Sequence, residues 1–598
     1  MTSTESDRTA ESVVWDLAPL LPAAGDEGLR ELLDRAEARV ADCEGWRGRI
    51  ADIDTDGLAA LVDAIAEIGD LLGRAESFAG LAFAADTTDP ALGARMQLVD
   101  ERATRIGTRL LFFELEWAAL AEERAEALLA DDRLTPARHH LRSVRRYRTH
   151  LLSEAEEIIL SEKALTGRGA WQRLFEEQVS AITVDLADGV GTLEAALGRL
   201  HSPDRDDRRS AAEAVTDALA PGLRTRTFIM NTLLADKSVD DRLRRYPSWI
   251  ASRNLANEAS DASVEALVAA VRARYSIPQR WYALKARLLG LDRIADYDRM
   301  ASVAEADAPY GWSEARDLVL DAYGSFSGEL ADVARRFFED GWIDAAARPG
   351  KRPGAFCAYT VPSHHPYLLL NWTARRRDVL TLAHELGHGV HAYLAREQGI
   401  FHQSTPLTLA ETASVFGETV TFGRLLTEVS DPAERLALLA ANLEDQIATV
   451  FRQVAMNRFE DSIHTARRDE GELSSDRIGA LWAASQEEML GDAVEVTAGY
   501  RSWWSYIPHF IGTPGYVYAY AYGQLLALSV YARFEAEGEA FVPRYLELLR
   551  AGGSMAPEDL GRIVGVDLAD PGFWDRGLDI IERRLAETIA AAEAAGRI

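Results

Sequence analysis

Apolar residues recur along most of the chain at intervals of three and four positions, the spacing of one face of an α-helix. Residues 28–46 carry a single apolar stripe, and residues 57–74 repeat the pattern after a short link. This pair predicts a helical hairpin. Similar stretches occupy residues 112–129, 139–166, 205–236, 262–290, 313–339, 432–468 and 574–595. The pattern therefore predicts a mainly α fold.

One region departs from the helical spacing. A break rich in proline and glycine at residues 346–354 precedes two short, aromatic, β-prone segments within residues 355–372, separated by PSHHP. We expect a small β element there. We also place a boundary near residue 195, which gives an N-terminal helical lobe of residues 1–195 and a larger region of residues 196–598.

Composition narrows the class of protein. The chain has 598 residues, 47% hydrophobic residues and a net charge of −30, which suits a packed globular protein and argues against binding to nucleic acid or anionic membranes. No apolar run reaches the length of a membrane span, and the first residues lack the pattern of a signal peptide. The only cysteines are Cys43 and Cys357, so we expect a reducing, cytoplasmic location.

Three of the twelve histidines lie within eight residues, in the sequence HELGHGVH. We predict a helix over Thr381–Gln398, closed by Gly399. At 100° per residue, His388 lies about 40° from His384, and Glu385 lies on the same side. Two histidines one turn apart with a glutamate beside the first form H-E-x-x-H, which binds zinc and supplies a general base. A structural histidine pair on a half-buried helix is the alternative.

A zinc ion needs a third protein ligand. His391 shares the face of His384 but lies two turns along the helix, roughly 10 Å away by helix rise, so we expect it to support a ligand or the fold instead. The next predicted helix follows a loop of about six residues, which favours antiparallel packing. It carries Glu411 and Glu418 on the face opposite its apolar stripe. We expect Glu411 to be the third ligand and Glu418 to accept a hydrogen bond from an imidazole.

The two segments HELGHGVHAYL and LAETASVFGE together resemble the M3 family of zinc metallopeptidases, in its oligoendopeptidase F branch. The likeness extends over nearly the whole chain, through residues 15–22, 355–372, 509–523 and 552–578. It implies a two-lobed helical shell around a deep substrate channel, of the gluzincin type, with the catalytic region in residues 196–598. It further implies that short peptides are the substrates and that the strand near residues 355–362 pairs with their backbone.

The resemblance also implies roles for individual residues. His384, His388 and Glu411 would bind one zinc ion per chain, and Glu385 would act as the acid/base. The segment at residues 509–523 contains His509, Tyr516 and Tyr522, which similar enzymes use to bind the substrate carbonyl oxygen. We pick His509 and Tyr516 first and Tyr522 next, with packing as the alternative for each.

The expected activity is zinc-dependent hydrolysis of internal bonds in short oligopeptides. Two alternatives stay open: trimming of dipeptides from free C-termini, and a helical peptide-binding protein without activity. The sequence gives neither the oligomeric state nor the preferred scissile bond.

Overall fold

The computed structural model describes residues 7, 9–303, 309–568 and 570–598, and most of them are helical. The first half of the chain contains α1 (Gly25–Glu44), α2 (Thr55–Ala85), α3 (Pro90–Ala119), α4 (Glu122–Leu129), α5 (Arg138–Arg146), α6 (Glu154–Thr166), α7 (Arg168–Ser180), α8 (Leu193–Gly198), α9 (Arg205–Leu219), α10 (Leu223–Leu243), α11 (Ala251–Ala256), α12 (Asp261–Ala273) and α13 (Ser276–Leu288).

The second half is helical in the same way, with few interruptions. It contains α14 (Trp312–Phe326), α15 (Gly328–Glu339), α16 (Arg376–Ala395), α17 (Leu407–Glu428), α18 (Pro432–Gln446), α19 (Gln453–Glu470), α20 (Ser475–Leu490), α21 (His509–Gly512), α22 (Tyr518–Glu537), α23 (Val542–Ala551), α24 (Pro557–Ile563) and α25 (Pro571–Ala594). A π-helical stretch, Ile447–Arg452, joins α18 to α19. The predicted mainly α fold is confirmed.

Strands are short and form three small sheets among the described residues. The strands are β1 (Thr183–Leu186), β2 (Gly189–Thr192), β3 (Ile294–Ala295), β4 (Ile343–Ala346), β5 (Phe356–Ala358), β6 (Tyr367–Trp372) and β7 (Val494–Glu495). The β element predicted within residues 355–372 is present, because β5 and β6 pair antiparallel, with Cys357 opposite Leu368. β4 pairs parallel to the other side of β6, which leaves β5 at the edge.

Two compact units are formed, each from three segments of the chain. The first comprises Met1–Leu151, Asp307–Leu425 and Val530–Asp567 in their described parts. α1, α2 and α3 enclose an apolar core that includes Leu32, Val40 and Trp117. The predicted hairpin of the first two helices is thus part of this unit, together with the β4–β6–β5 sheet and with α16.

The second unit comprises Leu152–Ala306, Leu426–Ser529 and Leu568–Ile598 in their described parts. Its core is rich in aromatic side chains, among them Phe459, Trp482 and Phe510. The expected boundary near residue 195 lies inside the first segment of this unit. Among the described residues, no helix is both long and apolar enough to cross a membrane.

Candidate metal centre

The helix that carries H-E-x-x-H is α16, and it follows directly from the small sheet. Asp378 caps its first turn by accepting hydrogen bonds from the backbone N–H groups of Thr373 and Arg375, at 2.7 and 3.1 Å. Leu382 and Leu386 are fully buried on one face. This amphipathic anchoring leaves the opposite face, with the two histidines, for the site.

Two glycines let α16 and α17 approach closely. A Cβ atom at Gly387 would lie 2.5 Å from the carbonyl oxygen of Ala413 in α17. A Cβ atom at Gly417 would lie 2.1 Å from the hydroxyl of Tyr323 and 3.2 Å from the carbonyl oxygen of Ala383 in α16. Any larger residue at these positions would push the helices apart. The absence of side chains here therefore brings the carboxylates of α17 to the histidines of α16.

The potential ligand atoms converge on one point. Glu411 Oε2 lies 3.3 Å from His384 Nε2 and 3.5 Å from His388 Nε2. The three residues form a group whose ligand atoms all lie within 4.8 Å of one another. Ligands about 2.0–2.1 Å from a zinc ion at tetrahedral angles are about 3.4 Å apart. The observed separations match that geometry, and two imidazoles with one carboxylate are a donor set that zinc accepts, so the residues fit the ion.

Each of the three residues has a further polar partner. His384 Nδ1 lies 3.3 Å from Glu418 Oε2, and His388 Nδ1 lies 3.4 Å from the hydroxyl of Tyr359. Ser414 Oγ donates to Glu411 Oε2 at 2.7 Å. These contacts leave both Nε2 atoms facing Glu411. Such outer partners fix the orientation of metal ligands.

Burial and charge shift the pKa values in this group. Burial lowers the pKa of His384, but its hydrogen bonds to Glu411 and Glu418 outweigh that effect and raise the pKa well above the ordinary value. Burial raises the pKa of Glu411, but hydrogen bonds to both histidines hold it well below the usual range. The two shifts favour a positively charged His384 beside an ionised Glu411, so the carboxylates of this group attract positive charge.

Glu385 lies beside the ligands without belonging to them. Glu385 is only 8% exposed. Burial raises the pKa of its carboxyl group, although His384 and His388 oppose the shift. The backbone amide of Cys357, in the edge strand β5, also opposes the shift. A carboxyl group with a raised pKa next to a metal site can both accept and return a proton.

His391 is buried at 3% exposure, and neither of its ring nitrogens has a hydrogen-bond partner among the described residues. Burial lowers its pKa to about 3, so the ring is neutral. It does not belong to the group that could hold a metal ion. The structure thus shows a packed imidazole rather than one that orients His384 or His388.

The residues predicted to bind the carbonyl oxygen lie in the second unit: His509 begins α21, Tyr516 lies in the link that follows, and Tyr522 is in the second turn of α22. His509 Nε2 is 3.2 Å from the hydroxyl of Tyr520, and the ring of Tyr516 lies parallel to that of His509, with centroids 6.2 Å apart. Tyr522 is fully buried, with its ring against Trp574. A ring without exposed surface cannot touch a peptide, so Tyr520 is a better candidate than Tyr522.

Sequence reasoning missed Tyr359 and Ser414, and among the tyrosines of residues 516–522 it did not select Tyr520. Helical spacing could have found two of them, because Ser414 is three positions from Glu411 and Tyr520 is four from Tyr516. Tyr359 gave no such signal, since its contact with the zinc helix depends on the path of the chain after β5.

The sequence matches known protein families over much of its length. The sequence profile described as Peptidase family M3 matches residues 327–580, and the profile described as Oligopeptidase F matches residues 116–183. Together they cover more than half of the chain. Oligopeptidase PepF of Bacillus subtilis (strain 168) is 25% identical over 586 residues, which cover 96% of this chain and 86% of the relative.

Other similar proteins also match over nearly the whole of this chain. Group B oligopeptidase PepB of Streptococcus agalactiae serotype III (strain NEM316) is 26% identical over 96% of both chains. The crystal structure of a putative peptidase from Chlamydophila abortus has the same fold, with a TM-score of 0.85, 23% identity and 99% coverage of both chains. That of oligoendopeptidase-F from Enterococcus faecium has a TM-score of 0.70 and 20% identity, covering 95% of this chain and 100% of the other.

An H-E-x-x-H helix, a glutamate from the following helix and a mainly α fold define a metallopeptidase of the gluzincin type. The chain belongs to peptidase family M3, in its oligopeptidase F branch. It is accordingly a metallopeptidase of the oligoendopeptidase kind.

Proposed function

We propose that His384, His388 and Glu411 hold one zinc ion per chain and that Glu385 is the acid/base in the hydrolysis of internal bonds of short oligopeptides. The convergence of both Nε2 atoms on Glu411 Oε2, at 3.3 and 3.5 Å, carries this proposal. The family gives the reaction class, and the ligand set favours zinc over harder cations, which prefer all-oxygen sites.

When bound, zinc would supply Lewis-acid chemistry by lowering the pKa of a water molecule and polarising the scissile carbonyl group. The Glu385 carboxylate takes the proton from the attacking water and delivers it to the leaving amine. Its raised pKa suits both steps, because the group accepts a proton more readily than an ordinary glutamate does.

We further assign His509 and Tyr516 as hydrogen-bond donors to the substrate carbonyl oxygen as negative charge develops there. Burial lowers the pKa of His509, so its imidazole is neutral at pH 7 and offers one N–H donor. The contact between His509 Nε2 and the hydroxyl of Tyr520 supports a fixed ring orientation.

Short peptides are the proposed substrates, and the net charge of −30 makes nucleic acid an unfavourable partner. We also propose a cytoplasmic location. Cys43 and Cys357 are both free thiols, a state that a reducing compartment maintains.

The test uses an internally quenched peptide of about eight residues whose two termini are blocked. The native chain should cleave it, lose activity on chelation and regain activity with zinc. Glu385→Gln should keep its zinc but lose activity by roughly 10²–10⁴-fold. Glu397→Gln is the matched control, because Glu397 is an exposed carboxylate just beyond the same helix, and it should behave as the native chain does.

Two results would overturn the proposal. Cleavage restricted to peptides with a free C-terminus would indicate carboxypeptidase trimming instead of endopeptidase activity. Native turnover by Glu385→Gln would remove the acid/base assignment.

A further inference from the structure

A buried carboxyl group in the second unit has no part in the chemistry described so far. Glu460, in α19, is 1% exposed. Its Oε1 accepts a hydrogen bond from the backbone N–H of Gly515 at 2.8 Å, and its Oε2 has no hydrogen-bond partner among the described residues. Burying a carboxyl group that is only half satisfied is costly. We therefore ask what the hydrogen bond between this carboxyl group and the Gly515 amide does.

The protonation state of this group suits a neutral hydrogen bond. Burial raises the pKa of Glu460 to about 8, although the Gly515 amide and the charge of Arg253 oppose the shift. The side chain is therefore mostly a neutral carboxylic acid at pH 7. A glutamine has the same shape and the same accepting oxygen, which provides a conservative replacement.

The amide that Glu460 binds belongs to the segment 509–518, which comprises α21, its link to α22 and the first residue of α22, and which contains the proposed carbonyl-binding residues His509 and Tyr516. Gly515 has a φ of +74°, a left-handed conformation that favours glycine. A Cβ atom there would be in ordinary contact with Trp249 and Arg253, at 3.4 Å. The turn at Gly515 thus lies next to Glu460, Trp249 and Arg253.

Other side chains of the second unit hold the same segment at neighbouring points. Gln172 Nε2 donates to the carbonyl oxygen of Ile511 at 3.0 Å. Arg253 Nε donates to the carbonyl oxygen of Pro514 at 3.3 Å. Both of these side chains therefore bind backbone carbonyl groups of the segment. Glu460, in contrast, accepts a hydrogen bond from a backbone N–H group of this segment.

Tyr516 is the next residue along the chain from Gly515. Its ring lies parallel to that of His509, with an angle of 11° between the planes, and makes an edge contact with Tyr520 at 5.0 Å between centroids. Holding the Gly515 amide therefore restrains the backbone immediately before Tyr516.

We infer that Glu460 is a positioning residue, whose buried carboxyl group captures the Gly515 amide and so holds Tyr516 against His509. Its effect on turnover rests on the proposed function, in which Tyr516 and His509 bind the substrate carbonyl. The anchoring of the amide does not rest on it. The two parts are therefore measured separately.

Anchoring is measured by hydrogen–deuterium exchange of the backbone amides in residues 513–517. Exchange should be slow in the native protein, nearly as slow in Glu460→Gln, and at least about tenfold faster in Glu460→Ala and Glu460→Met. The methionine variant fills the volume of the glutamate without an acceptor, so it separates the loss of the bond from a packing defect. Equal exchange in the native protein and the methionine variant would overturn the anchor.

Positioning is measured with the blocked peptide described above. Glu460→Met should lower kcat more than it changes KM, because Tyr516 would be misplaced in the transition state, and Glu460→Gln should restore kcat. Faster exchange with native kcat in Glu460→Met would overturn the positioning role. His509→Ala and Tyr516→Phe serve as controls: native activity in both would refute the proposed carbonyl-binding role, while the exchange result would still decide the anchor.

Discussion

Replacing Gly387 by alanine tests whether the close approach of α16 and α17 creates the metal site. The new Cβ atom would lie 2.5 Å from the carbonyl oxygen of Ala413, whereas nonbonded atoms prefer about 3.5 Å or more. The two backbones would have to separate by roughly 0.5–1 Å. Zinc sites tolerate ligand displacements of only about 0.2 Å. The contact between His384 Nε2 and Glu411 Oε2, now 3.3 Å, would therefore open too far.

We expect Gly387→Ala to lower zinc affinity at least about tenfold and to destabilise the fold by about 1–3 kcal/mol through overpacking. Competition with a chromophoric chelator measures the zinc affinity, and urea unfolding of the apo protein measures the free energy of unfolding. Gly423→Ala is the matched control in α17, because nothing lies within 4 Å of its added Cβ atom. It should gain up to about 1 kcal/mol and bind zinc normally. Native zinc affinity in Gly387→Ala would refute the reasoning.

Three further changes have defined outcomes. Burial lowers the pKa of His384, but its carboxylate partners outweigh that effect and raise the pKa. Zinc must therefore displace a proton from His384, and the affinity for zinc should rise about tenfold from pH 6 to 7. A zinc affinity that does not change with pH in the chelator competition would contradict this. Glu418→Gln should weaken zinc binding about tenfold in the same assay. Unchanged binding would show that the contact between Glu418 and His384 has no role. Lys351→Met removes one of the two cations at the buried Asp344 and leaves the Arg348 pair in place, so it should cost about 2 kcal/mol in urea unfolding, the worth of a hydrogen bond to a charged group. Loss of the exposed Arg173 in Arg173→Ala should cost under about 1 kcal/mol; equal costs would contradict the burial argument.

Local patterns predicted the elements around the site, because periodicity and caps are properties of neighbouring residues. The zinc helix was expected over Thr381–Gln398 and runs from Arg376 to Ala395, followed by one 3-10 turn. The earlier start is explained by Asp378, whose carboxylate caps residues ahead of the apolar stripe. Residues 139–166 were expected to be helical and are interrupted, because Ser153 and Glu156 form a capping box that begins a new helix.

Long-range arrangement could not be predicted in the same way. Each unit collects three distant segments, and no periodicity records which segments meet. The tyrosines of YVYAYAY show the same limit. On a helix, Tyr518 and Tyr522 share one side and are fully buried, whereas Tyr516 and Tyr520 share another and contact His509. The alternating pattern cannot tell which pair enters the core.

Anomalous diffraction at the zinc absorption edge, from crystals of the zinc-loaded protein, tests the central claim most directly. We predict one strong peak per chain, about 2.0–2.2 Å from His384 Nε2, His388 Nε2 and a carboxylate oxygen of Glu411. A peak held by other side chains, or one from which Glu411 is turned away, would contradict the proposed metal centre.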